Sequence, residues 1–147
     1  NYGFARWAYD RQEELWLGLG PGRHFGEWWG SGINRGYGLQ KGDKRFSLFN
    51  VIRWCLHGVE PQQIQTGDPR QVKVQEVLPE CCNLVPVIWR GIFNTEMIET
   101  CLKDLKQNGS YVVPMYNNPE GIVVYHIAGN VAFKKTLGND GAKGEKG

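Results

Sequence analysis

Glu120 stands directly before Gly-Ile-Val-Val-Tyr, an apolar, β-branched run, and Lys134 and Lys135 lie inside the next apolar stretch. A carboxylate at the mouth of a buried strand has a rigid support. From there it can orient a ribose hydroxyl or a metal-bound water. Alternation along a strand sends the two lysines to opposite faces, so one of them points toward the core or a cleft. Lysine is costly to bury unless it is paired, and a phosphate in a cleft would pair it. Glu27 sits between Phe25 and the Trp28–Trp29 pair. A carboxylate flanked by aromatics suits a mostly apolar pocket that stacks a base and accepts a hydroxyl hydrogen bond. Each feature also has a plain reading: a solvated Glu120 at a strand start, a strand edge with one snorkelling lysine, and a surface Glu27 on a half-buried strand.

The glycine-rich run GSGINRGYG at 30–38 suggests a phosphate cradle, but it matches neither G-x-x-x-x-G-K-[ST] nor a G-x-G-x-x-G that opens a helix. Arg35 and Tyr37 are its candidates for touching phosphate or a base; the alternative is an ordinary flexible loop. The four cysteines form no C-x-x-C pair, and the three histidines show no ligand spacing relative to them. Regular zinc-ligand spacing is therefore lacking, and free thiols in a reducing, cytoplasmic setting are expected. No apolar run approaches a membrane span, and no segment reads as a signal peptide. Membrane partners are not expected; the oligomeric state is left open.

These side chains need a folded support. The chain has 147 residues, 41% hydrophobic, with six each of Trp, Tyr and Phe, which is one domain with a core rather than a disordered segment. Residues 4–17 read as a helix, with Phe4, Trp7, Ala8 and Leu15 on one side, interrupted by Arg11 and stopped by Gly18 and Gly20. Residues 23–29 read as a strand on which Phe25, Glu27 and Trp29 share a face. A loop follows over 30–44, then strands over 45–52, 72–78 and 84–89, with Pro86 marking an edge or a bulge. A surface excursion covers 57–71. The clearest helix is 95–107, where Met97, Ile98, Cys101, Leu102 and Leu105 form one stripe. Asn94 caps it and Gly109 ends it. Residues 120–127 and 131–137 form a hairpin through Ala128–Asn130. The expectation is an α+β fold with mainly antiparallel sheets and flanking helices: one domain over 1–137 and a polar tail over 138–147.

The order of these blocks carries a resemblance. Phe-Gly-Glu in FGEWWGSGINRGYGL, then KRFSLFNV, then PEGIVVYH, then FKKT closely resemble the covalent nucleotidyltransferase superfamily of DNA ligases, RNA ligases and mRNA-capping enzymes. Within it the match looks like an ATP-dependent RNA ligase family of phage and bacterial type, over nearly the whole chain. The resemblance implies a partial nucleotidyltransferase (adenylation) domain of the ATP-grasp-like ligase type. It implies ATP and Mg²⁺ (or Mn²⁺) as cofactors, and RNA ends bearing 5′-phosphate and 3′-hydroxyl as partners, as in RNA repair. Residue by residue, Glu27 resembles the carboxylate that contacts the adenylate ribose. Phe49, with Phe46 as a second candidate, resembles the aromatic that stacks on adenine. Glu120 resembles the carboxylate that helps place the metal, and Lys134 the lysine that contacts the α-phosphate. The superfamily commonly has Lys-x-Lys where this chain has adjacent lysines, so Lys135 shares that assignment. Asn50 stands where the family more often has Asp.

The family reaction passes AMP from ATP to a lysine, then to a 5′-phosphate end, and a 3′-hydroxyl displaces it. The nucleophilic lysine belongs to a K-x-D-G block, and this sequence contains none. Arg6, Arg11 and Arg23 stay protonated and cannot replace it, and Lys41 is followed by Gly-Asp. The sequence opens on Asn rather than Met, and the expectation is a piece of a longer, active ligase, inactive alone. The alternatives are a catalytically reduced homologue that binds nucleotide or RNA ends, and a nucleic-acid-binding module using its aromatics for stacking. The net charge of +2 argues against the last.

Overall fold

Arg11 divides the N-terminal helix. In the computed structural model, which describes residues 1–49 and 78–138, the stretch expected as one helix forms α1 (Phe4–Asp10) and α2 (Gln12–Leu19). Arg11 leaves helical geometry at φ −120° and ψ 17°, and its guanidinium lies 5.4 Å over the Trp7 ring. The break lets Phe4 and Trp7 from one helix and Leu15 and Leu19 from the other reach the same core. Gly18 does not stop α2. The helix runs to Leu19, which is buried, and Gly20 ends it at φ 70°, its N–H donating to Trp16 O at 3.1 Å. Burying Leu19 offsets the cost of about 1 kcal/mol for a helical glycine.

The chain divides into two compact units, Asn1–Val87 and Ile88–Gly147, where the sequence suggested one domain. In the first, β1 (Gly26–Gly30) pairs antiparallel with β2 (Lys44–Leu48), and β2 pairs parallel with β3 (Cys82–Leu84). The class is thus α+β with one antiparallel and one parallel pairing here. The strand expected at 84–89 ends at Leu84. Val85 still donates its N–H to Leu48 O at 3.0 Å, but Pro86 has no N–H to continue the ladder. Trp28, Phe46 and Leu48 face α1 and α2, with ring centroids 5.2 Å apart for Phe4–Phe46 and 5.1 Å for Trp7–Trp28. Phe46 lies over Gly26, where a Cβ would also stand 2.8 Å from Ser47 O. The glycine of Phe-Gly-Glu is therefore required by close packing.

The second unit follows the sequence closely. α3 (Thr95–Asn108) starts at Asn94, whose Oδ1 accepts the N–H groups of Glu96 at 2.8 Å and Met97 at 3.3 Å. Gly109, at φ 83°, ends it, and Leu102 and Leu105 are its buried residues. The hairpin is β4 (Gly121–His126) and β5 (Val131–Thr136), antiparallel, turning through Ile127–Asn130, with Asn130 at φ 46°. No helix among the described residues is long and apolar enough to cross a membrane. The expected strand segments at 50–52 and 72–77, the excursion at 57–71, Asn50 and the tail from 139 lie outside the described residues.

Candidate functional site

On the first unit, the β1–β2 register puts Glu27 opposite Ser47 and Trp29 opposite Arg45. Phe49 N–H donates to Phe25 O at 2.9 Å, which carries the pairing one step past the strands. Phe25, Glu27, Trp29, Arg45, Ser47 and Phe49 therefore share the face turned away from α1 and α2. One end of this face is closed. Trp29 is buried; its Nε1 donates to Ser47 Oγ at 2.8 Å, and the Arg45 guanidinium lies 5.6 Å over its ring. The other end is open: Phe25 is 52% exposed, Phe49 is 42% exposed, and Glu27 is exposed beside them. A carboxylate next to two accessible rings can accept a hydroxyl hydrogen bond while a planar base stacks.

Phe46 is not available for that role. Its ring is buried in the helix-facing core, so of the two aromatics named for adenine, only Phe49 offers a surface. Tyr37 meets the Trp29 ring edge-on, with centroids 5.4 Å apart and planes at 68°. That contact uses its ring to seat the glycine-rich loop. It also folds the loop back onto the face that carries Glu27. Arg35, next to the 3-10 turn Gly36–Gly38, is exposed there.

On the second unit, Lys134 Nζ donates to Glu120 Oε1 at 2.6 Å, with the two side chains 57% and 37% exposed. Glu120 O accepts the Leu137 N–H at 2.8 Å, extending the ladder past β4 so that the carboxylate sits at the open end of the hairpin. Gly121 makes this possible. At φ 154°, a Cβ there would stand 2.7 Å from Thr136 Cα and would overlap Lys135 O. Lys135 points to the other side of β5 and pairs with Glu99 of α3, at a crevice of about 210 Å³ that Phe93, Ile98, Val124 and Phe133 help to line. The alternation expected of the two lysines is present. Of the two destinations expected for one of them, the core or a cleft, neither lysine takes the core: both are about half exposed and each has a carboxylate partner, and both help to line the crevice.

The candidate residues thus fall into two sets. Glu27 and Phe49 share a face of the first unit, with Arg35 exposed in the loop that Tyr37 seats on Trp29, and Glu120 and Lys134 pair on the second. Sequence reasoning missed Phe25 as a partner of Phe49, Glu99 as the partner of Lys135, and the packing need for Gly26 and Gly121. Only the register and the close backbone approach show these. Among the described residues no three His, Cys, Asp or Glu side chains gather as a protein-built metal cage requires. A Mg²⁺ ion asks for less: one or two carboxylates, with phosphate oxygens and waters completing the shell. Glu120 offers one such carboxylate, with its Oε1 paired to Lys134.

No family model, curated protein or solved structure matches the chain.

Proposed function

We propose that the chain is the nucleotide-handling part of an ATP-dependent, RNA-ligase-like nucleotidyltransferase. The observation that carries the reading is the pair of Glu120 and Lys134, 2.6 Å apart at the open end of the β4–β5 hairpin. These are the two residues that separate sequence blocks single out for the metal and the α-phosphate. An ion pair this exposed contributes about 0–1 kcal/mol to stability, so folding alone gives little reason for it. The open face of Phe25, Glu27 and Phe49 supports the same reading for the nucleoside.

By itself, the open face of the first unit suits a nucleoside, with Phe49 stacking on adenine and Glu27 accepting a ribose hydroxyl. By itself, the ion pair of the second unit suits a phosphate: Lys134 would donate to a phosphate oxygen, and Glu120 would hold Lys134 in place and be the carboxylate for Mg²⁺. When bound, the ion neutralises charge on the phosphates. A preorganised cation aimed at the transferring phosphate acts where charge develops. The nucleophilic lysine would come from a K-x-D-G block outside these 147 residues, so the chain itself binds nucleotide without becoming adenylylated. The test is a titration with Mg²⁺-ATP followed by tryptophan fluorescence. Saturable quenching that weakens in Phe49→Ala and Lys134→Ala is expected; a chain with no saturable response contradicts the proposal.

A further inference from the structure

The loop from Ser31 to Asp43 is built like a binding element. Its neck is closed by Ser31 N–H donating to Asp43 O at 2.9 Å and Gly42 N–H donating to Ser31 Oγ at 3.3 Å. Ile33 is buried beneath it, and successive turns are tied by Gly36 N–H to Ile33 O at 2.9 Å and Leu39 N–H to Gly36 O at 3.1 Å. Compact surface loops with closed necks are frequently functional. Two non-glycine residues, Asn34 at φ 45° and Tyr37 at φ 51°, are held in the left-handed region. Such strain persists only where the surroundings enforce it, and it clusters at ligand sites.

Between its neck residues, the loop's own charged side chains are of one sign. Residues 31–42 contain two cations, Arg35 and Lys41, and no carboxylate. The acid at the neck, Asp43, is bonded to Arg45 at 3.1 Å. Arg35 and Lys41 are both exposed. Gly32 and Gly42 have positive φ, and a Cβ on either would meet nothing within 4 Å. Bare backbone open to space lets an extended ligand approach closely, and cations beside it favour a chain of phosphates. Phosphate contacts of this kind position a strand without reading its sequence.

We propose that Ser31–Asp43 is a contact surface for the sugar-phosphate backbone of the strand being joined, with Arg35 and Lys41 as its phosphate ligands. The word "joined" rests on the nucleotidyltransferase reading; the backbone contact does not. The loop and the nucleoside face lie on the same side of the β1–β2 sheet, since Tyr37 seats the loop on Trp29.

The experiment measures binding of a short, 5′-phosphorylated single-stranded RNA to the full chain across a range of salt. Arg35→Ala/Lys41→Ala removes two phosphate contacts. Single strands contribute about 0.7 to the salt slope per contact. The variant should flatten the log–log slope by about 1.4 and weaken binding roughly 25-fold at 0.1 M salt. Arg35→Lys/Lys41→Arg should keep the slope, and an unchanged melting temperature confirms that the double alanine variant is folded. A DNA strand of the same sequence should compete, because the contacts are to phosphate. Wild-type chain that does not bind RNA, or a double alanine variant with the wild-type slope, overturns the proposal. Loss of Mg²⁺-ATP binding in the folded double variant overturns it too, since the loop would then belong to the nucleotide. RNA binding with the expected slope but no ATP binding in the wild type leaves the loop assignment standing and removes the nucleotidyltransferase reading.

Discussion

Replacing Gly121 with alanine puts a methyl group into the backbone of β5. The new Cβ would stand 2.7 Å from Thr136 Cα and 2.9 Å from the Lys135 carbonyl carbon. Carbon atoms are comfortable at roughly 3.5 Å, so β5 has to retreat by at least roughly 0.8 Å to free Thr136 Cα, and further to clear the Lys135 carbonyl oxygen, which is closer still. A φ of 154° adds strain for any L side chain, of order 1–3 kcal/mol. The Leu137 N–H bond to Glu120 O, 2.8 Å in the native hairpin, is the nearest ladder bond and is worth about 1 kcal/mol. Together the loss is about 2–4 kcal/mol, or a fall in Tm of roughly 5–15 °C for a domain of this size. The same shift separates Lys134 from Glu120, so Mg²⁺-ATP binding should weaken even at temperatures where the variant is folded. Thermal denaturation by circular dichroism, with the fluorescence titration alongside, measures both. Val123→Ala, an exposed neighbour on β4, is the control and should change Tm little. A Gly121→Ala protein that melts with the wild type would refute the close-approach argument and the placement of Glu120 built on it.

Lys134→Ala should leave Tm within the range of an exposed ion pair, about 0–1 kcal/mol, yet weaken Mg²⁺-ATP binding by about 1.5–3 kcal/mol, the worth of a charged hydrogen bond. Lys135→Ala, whose partner is Glu99, should affect nucleotide binding far less in the same titration. Phe46→Ala should cost about 3–5 kcal/mol in urea unfolding as a core truncation, whereas Phe49→Ala should cost little stability and reduce ATP binding by about 1–3 kcal/mol. Burial pushes the Cys82 thiol from its ordinary 9.0 up to about 12. Raised above its unfolded value, the group contributes stability fully present below pH 9 and lost as pH rises toward about 12. Urea midpoints should therefore fall across that window, and Cys82→Ala should flatten the fall.

The second unit was the legible half of the molecule. The α3 stripe, its Asn94 cap and the β4–β5 hairpin are encoded by local periodicity and turn chemistry, and these fix Glu120, Lys134 and Lys135 with no information from elsewhere. In the first unit the outcome depends on contacts distant in sequence. Whether 4–17 is one helix or two turns on how Arg11 and Trp7 interact and on where Leu19 finds its core. The parallel pairing of β2 with β3 joins Phe46 to Cys82 across 36 positions, which no periodicity reports. Phe46 and Phe49 look equivalent as aromatic residues three apart. Strand alternation sends them to opposite faces, but only the position of α1 and α2 decides which face is closed. The Tyr37 contact with Trp29, eight positions away in sequence, is likewise visible only in the fold.

The central claim, that these residues handle an adenylate, is tested most directly by labelling with ATP carrying a radioactive α-phosphate in the presence of Mg²⁺. This chain should take no label that survives denaturation in SDS at neutral or alkaline pH. The protein expressed from its reading frame extended upstream to a K-x-D-G block should form a covalent AMP adduct, and Lys134→Ala or Glu120→Ala should reduce its rate by about 10²–10³. An extended protein that binds ATP but never becomes labelled, a frame with no such block, or an adduct that forms equally well without Lys134 and Glu120 would contradict the account.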